Sequence, residues 1–288
     1  MSNYVIHTDS ASDIKPELLA EWGVSFTSLT FRFEGNDREY TNVEMNADEF
    51  YAKMREGGVA KTAAVNTETF RADFESTLKQ GKDVLYLGFS SGLSTTYNSA
   101  RIASLELAEQ YPDRKIIVID TLAASAGQGL LVYLAVEKKN EGADIEANAE
   151  YIRATLPKLA HWFTVDDLVY LKRGGRVSPT AAFFGNMLGI KPVMHVDDEG
   201  HLIPMAKVRG RKTAVNALAE KYGEFAENRG NDVVFISHGD CMKDVEELSS
   251  ILKNKYGAEV RLVTDVGPVI GAHSGPGTLA LFYIGKER

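Results

Sequence analysis

The sequence predicts an α/β protein, with a parallel sheet in its first part and a smaller α+β unit behind it. Three observations carry this expectation. Over the first 120 residues, short β-rich runs alternate with helical patterns, as in a parallel sheet with helices on both faces. After about residue 160 the alternation gives way to a hairpin, with runs 191–196 and 201–208 flanking Asp197-Asp198-Glu199-Gly200. A length of 288 residues suits about two domains at roughly 150 residues each.

Tyr4-Val5-Ile6-His7 reads as a strand running into the polar turn Thr8-Asp9-Ser10-Ala11-Ser12-Asp13. Leu18, Leu19 and Trp22 share one helical face, and Gly23 stops that helix. The run 24–33 is β-branched and aromatic enough for one strand. Asn46 and Glu49 have capping-box spacing for a helix ending at Gly57-Gly58. Phe70, Phe74 and Leu78 mark the next helix. Val84-Leu85-Tyr86-Leu87-Gly88-Phe89 is continuously apolar, as a strand covered on both faces must be. A Ser/Gly loop leads to a helix through Ile102 and Leu105 that ends near Pro112. Lys115-Ile116-Ile117-Val118-Ile119-Asp120 is another such strand, followed by a helix around Leu130, Leu131 and Leu134. Beyond the hairpin come helix 214–227, strand 233–237, helix 245–256 and strands at 259–264 and 279–284.

Composition narrows the function classes. The formal net charge of −8 argues against a general nucleic-acid surface. One cysteine, Cys241, makes neither an internal disulfide nor a thiolate metal cage, and the six histidines show no i, i+4 pairing. No metal is expected. The opening Met1-Ser2-Asn3-Tyr4 shows no export signal. The uncharged stretch 266–285 holds two prolines and five glycines, a poor lipid-spanning helix. A cytoplasmic protein with no integral membrane segment is expected.

In open parallel sheets ligands bind beyond the carboxyl ends of the strands. Three hydroxyl-rich loops stand there: 8–13, 90–96 and 121–125. Hydroxyls and free amides at helix N-termini make an anion site, although the same residues also serve as plain caps. Gly88-Phe89-Ser90-Ser91-Gly92 matches a nucleophile elbow, with Asp240 or Asp265 and His273 in the order a hydrolase needs. Glycine and proline on both sides of His273 suggest an irregular loop presenting an imidazole. The glycine-interrupted basic runs 171–178 and 207–212 could clamp a phosphate, or simply stay solvated near helix ends. Residues 172–212 carry a local charge of +5 inside the acidic total, which restricts an anionic partner to one place.

Together these segments resemble the DegV family, the bacterial fatty-acid-binding proteins. The resemblance rests on Thr8-Asp9-Ser10-Ala11-Ser12-Asp13, Lys61-Thr62, Ser90-Ser91-Gly92-Leu93-Ser94-Thr95-Thr96-Tyr97, Asp120-Thr121 through Gly127-Gln128-Gly129, 171–178, Lys191-Pro192 and 267–277. It implies a Rossmann-like domain, 1–161, beside an α+β domain, 162–288, with an acyl tunnel between them and into the second. It further implies a non-catalytic subunit without a cofactor. That subunit binds one long-chain fatty acid and presents it to a separate ATP-dependent kinase subunit, whose acyl-phosphate product feeds phospholipid synthesis. Thr62, Ser94 and His273 would hold the carboxylate, and Arg176 and Arg209 would handle the acyl phosphate or engage the kinase. Two positions depart from the family pattern. Ala63-Ala64-Val65 stands where Ser-Gln-Pro often follows the threonine, and Thr95 stands where glycine usually follows the serine. A serine esterase built on Ser90 is the alternative, and a protein-interaction module a third class.

Overall fold

The computed structural model describes residues 3–177 and 189–288; Ser178, the last residue of the first basic run, lies outside them. Its strands are β1 (Tyr4–Asp9), β2 (Val24–Thr27), β3 (Thr30–Phe33), β4 (Tyr40–Thr41), β5 (Ala60–Ala63), β6 (Asp83–Gly88) and β7 (Ile116–Asp120) in the first part of the chain. β1, β2, β6 and β7 form a parallel sheet in the order β2-β1-β6-β7. Strand parity sends alternate side chains of β6 to opposite faces. Leu85 and Leu87 join a core with helices α5 (Ala126–Asn140) and α6 (Ile145–Thr155). Val84 and Tyr86 join another with α3 (Thr67–Lys79) and α4 (Thr96–Gln110). Phe70, Phe74 and Leu78 fill the second core from α3, as their spacing predicts. Asn46 caps α2 (Ala47–Arg55) by accepting from Glu49 N–H at 2.8 Å.

Two expectations need correction. Run 24–33 is two strands in different sheets: β2 pairs with β1, while β3 joins β4 and β5 in an antiparallel sheet. The chain turns at Ser28-Leu29, where Leu29 N–H donates to Ser10 Oγ at 2.9 Å instead of entering a ladder. The helix through Ile102 and Leu105 is α4, with Ala100, Ala103 and Leu107 on its buried face and Leu105 57% exposed. The segment around His273 is a seven-residue helix, Pro268–Ser274, not an irregular loop. Proline is tolerated in a first turn and glycine follows a last one, so the breakers Pro268 and Gly275 bracket the helix.

The second sheet contains β8 (Leu159–Thr164), β9 (Ile190–Val196), β10 (Leu202–Arg209), β11 (Val234–His238), β12 (Val260–Asp265) and β13 (Leu279–Ile284), in the order β10-β9-β8-β13-β11-β12. Only β11 and β12 run parallel among these pairs. The expected division at 161/162 falls within β8. Helix α7 (Val169–Arg173) precedes β9, and α8 (Arg211–Phe225) and α9 (Met242–Tyr256) cover one face of the sheet through Leu218, Tyr222, Leu248 and Leu252. The other face, with Phe163, Phe235, Ala280 and Phe282, packs on α5. Helix α5 therefore touches both sheets. Gly127 makes this approach possible, because a Cβ there would stand 2.8 Å from the Phe282 ring. The last helix, α10, is the Pro268–Ser274 segment. Among the described residues no helix is long and apolar enough to cross a membrane.

Candidate functional site

A cavity of about 380 Å³ lies between the loops after β6 and β7 and the inner face of the second sheet. That size is within the range of small-molecule sites. Two of the three loops singled out in the sequence line it, through Ser91, Leu93, Ser94 and Thr95 and through Ala124 and Ser125. The first loop stands one layer behind: Ser125 Oγ lies 2.5 Å from Asp13 Oδ2. Phe89, Phe163, Leu171, Leu202, Val269 and Ile270 supply much of the apolar wall.

Four of the five residues expected at the site line this one cavity: Thr62, Ser94, Arg176 and His273. Thr62 comes from β5, opposite Phe31, and its Oγ1 lies 2.8 Å from His273 Nε2. His273 sits in the last turn of α10. Ser94 precedes α4, where its Oγ accepts from Thr96 N–H at 3.2 Å and lies 2.9 Å from Thr96 Oγ1. Arg176 donates from Nε and Nη2 to Leu93 O at 3.2 and 3.1 Å, and from Nη1 to Gly174 O. Hydrogen bonds and close packing thus link Thr62, His273, Gly174, Arg176, Leu93 and Ser94 in turn. Arg209 is exposed at the end of β10 and is not among the residues lining the cavity.

The electrostatics single out one cation. Burial lowers the Arg176 pKa, and among the described residues no carboxylate pairs with it. Its basic neighbours differ: Lys191 pairs with Asp166 at 2.7 Å, and Arg211 with Asp244 at 3.0 Å. Burial first, and then Arg176, push His273 down to about 4, so its imidazole is neutral near pH 7. The site therefore presents neutral donors beside one uncompensated positive charge. This arrangement suits a monoanion.

Ser90 is fully buried, and its Oγ donates to Gly200 O at 2.9 Å across to the β9–β10 turn. The histidine and aspartates of the hydrolase pattern are bonded elsewhere: His273 to Thr62, Asp240 to Arg55, and Asp265 beside Lys15 and His238. Ser90→Ala is expected to lower stability by about 1–2 kcal/mol, because Gly200 O loses a buried donor. Urea unfolding measures this, and an unchanged midpoint would remove the structural role. Among the described residues no group of three or more His, Cys, Asp or Glu could hold a metal ion.

A family model described as "Uncharacterised protein, DegV family" matches residues 3–286. The chain belongs to the DegV family. It is 41% identical over 289 residues to a DegV domain-containing protein of Clostridium perfringens, covering 100% of this chain and 99% of that protein. A DegV protein of Thermus thermophilus, described as fatty-acid binding, superposes with a TM-score of 0.88 at 31% identity, covering 98% of this chain and 99% of its own. A stearic-acid-binding protein from Eubacterium ventriosum does so with a TM-score of 0.88 at 28% identity, covering 98% of each.

In this DegV chain both departures fall at the cavity itself. Ala63, Ala64 and Thr95 line it, and Thr95 has a φ of −76°, a backbone that suits any L residue. Sequence reasoning missed two features of the site. One is the buried chain of Asp13, Ser125 and Ser237, with Ser125 Oγ 2.8 Å from Ser237 Oγ. Its members are 112 residues apart, so no local pattern marks them. The other is Gly174, which was visible only as half of a Gly-Gly pair.

Proposed function

We propose that the protein binds a long-chain fatty acid, with Thr62, Ser94 and His273 holding the carboxylate and the apolar wall taking the chain. In the same reading it acts in the cytoplasm without catalytic turnover. It presents the carboxylate to a separate ATP-dependent kinase subunit, and the resulting acyl phosphate enters phospholipid synthesis. The observation that carries the binding reading is the convergence of two hydroxyls, a neutral imidazole and Arg176 on one largely apolar cavity. Each buried methylene contributes about 0.8 kcal/mol, so a long chain outweighs the entropy of association. The DegV proteins of Thermus thermophilus and Eubacterium ventriosum described as binding fatty acids support this reading. The esterase alternative gains nothing from the Ser90 hydroxyl, which is held by a backbone carbonyl. Arg176, at the cavity, and Arg209, exposed at the end of β10, are the cations this reading assigns to the kinase or the acyl phosphate.

Native mass spectrometry and lipid extraction of protein purified from cells test the binding reading. We expect a stoichiometric fatty acid. Its absence, together with no uptake of added acid, would sink the reading. Thr62→Ala, Ser94→Ala and His273→Ala should each weaken uptake by about 10- to 100-fold, the worth of one hydrogen bond to a charged group. Unchanged affinity in all three would put the carboxylate elsewhere.

A further inference from the structure

Two adjacent glycines end α7, and they are needed for different reasons. Gly175 has a φ of +70°, a backbone that favours glycine. Gly174 has φ −73° and ψ −11°, ordinary helical values that any residue adopts. What Gly174 lacks is room. A Cβ there would stand 2.1 Å from His273 Nδ1 and 3.1 Å from its Cε1 and Cγ. Nδ1 is accordingly buried and, among the described residues, without a hydrogen-bond partner, whereas Nε2 faces Thr62 Oγ1 at 2.8 Å.

We propose that Gly174 is a positioning residue for the carboxylate site: by closing over Nδ1 it fixes His273 with its single hydrogen on Nε2. A neutral imidazole can place that hydrogen on either nitrogen. On Nδ1 it would be a buried N–H against Gly174 with no acceptor, an arrangement that folded proteins rarely tolerate. On Nε2 it meets the Thr62 hydroxyl, and only a lone pair stays unpartnered at Nδ1. Burial and Arg176 keep a second hydrogen off the ring near pH 7. Thr62 Oγ1 then accepts from His273, so its own hydrogen is free to be given to an oxygen in the cavity. His273 and Thr62 thus form a relay of donors: the ring gives its one hydrogen to Thr62 Oγ1, and the Thr62 hydroxyl gives its own to the carboxylate. The same glycine offers its carbonyl to Arg176 Nη1, so a single backbone unit sets the ring and steadies the cation. The role of these donors rests on the fatty-acid reading; the placement of the hydrogen does not.

Three measurements test the proposal. Long-range proton–nitrogen NMR of His273 in the ligand-free protein at pH 7 should show Nε2 protonated and Nδ1 bare. A hydrogen on Nδ1 would overturn it. Gly174→Ala should weaken stearate binding at least 10-fold while the ligand-free protein still unfolds cooperatively, since alanine suits that backbone and it is the ring that must yield to the methyl group. In a His273→Ala background the same change should cost nothing, because the methyl group then meets no ring. Native-like binding by Gly174→Ala, or an equal loss in both backgrounds, refutes the role. His273→Gln, whose amide reaches the Nε2 position, should retain more affinity than His273→Asn, whose amide reaches only the Nδ1 position; the reverse order counts against the proposal. If the native protein takes up no stearate, the fatty-acid reading fails while the NMR result still decides the tautomer.

Discussion

Arg176→Gln is expected to weaken fatty-acid binding by about two orders of magnitude. A cation and a carboxylate about 5 Å apart at an effective dielectric near 20 attract by about 3 kcal/mol, which is roughly 100-fold in affinity. No other cation among the described residues lines the cavity. The guanidinium already gives one hydrogen from each of Nε, Nη1 and Nη2 to Leu93 O and Gly174 O, which holds the group rigid. One hydrogen is left on each terminal nitrogen for a ligand. Glutamine keeps a donor and loses the charge, so calorimetric titration with stearate isolates the electrostatic part. His273 should titrate higher in the variant, since one of the two causes of its low pKa is removed, yet burial will still hold it below its ordinary value. Arg176→Lys keeps the charge without the fork and should recover part of the loss. Binding by Arg176→Gln within about 3-fold of native would mean that the neutral donors suffice, a loss no larger than one weak hydrogen bond gives.

The largest expected effect on stability comes from Asp13→Asn, and its sign depends on pH. Burial pushes the Asp13 carboxyl up to about 8, with Asp265 and Asp9 adding repulsion and Ser125 and the Gly267 N–H opposing. The folded protein thus holds this proton where the unfolded chain, near 4, has released it. Stability from this group is complete below about 4 and is lost as pH rises through about 8. Integrated over that window the loss is at most about 6 kcal/mol. Asparagine keeps the shape, tolerates the φ of 54° at this position and cannot ionise. Relative to the native protein, the variant should therefore gain several kcal/mol between pH 5 and pH 8, and nothing further above about pH 9. Urea unfolding across this range measures the difference, and parallel stability curves would show that Asp13 ionises normally in the fold.

Much of the frame was legible because each part answered to local physics. β6 announced burial on both faces, α3 its aromatic stripe, and the β9–β10 turn its acidic and glycine residues. One failure has its cause in a partner distant in sequence. The break at Ser28-Leu29 depends on the hydroxyl of Ser10. Pro268 and Gly275 were read as breakers because the helix between them is short and offers no apolar period. At the site, Thr62, Ser94, Arg176 and His273 came from the family pattern, and no spacing between them could have placed them around one cavity. The reason for Gly174 is a ring 99 positions away.

Helix α5 lies against both sheets, with Gly127 in contact with the second and Leu130 and Leu131 in the core shared with the first. Neither half of the chain thus owns a complete hydrophobic surface. A chimera that took one half from a distant relative would inherit a helix shaped for a sheet it no longer meets, and the cavity beside the start of that helix would change shape with it. In this architecture a change at the seam calls for paired changes on either side of α5, which an exchange of modules does not supply.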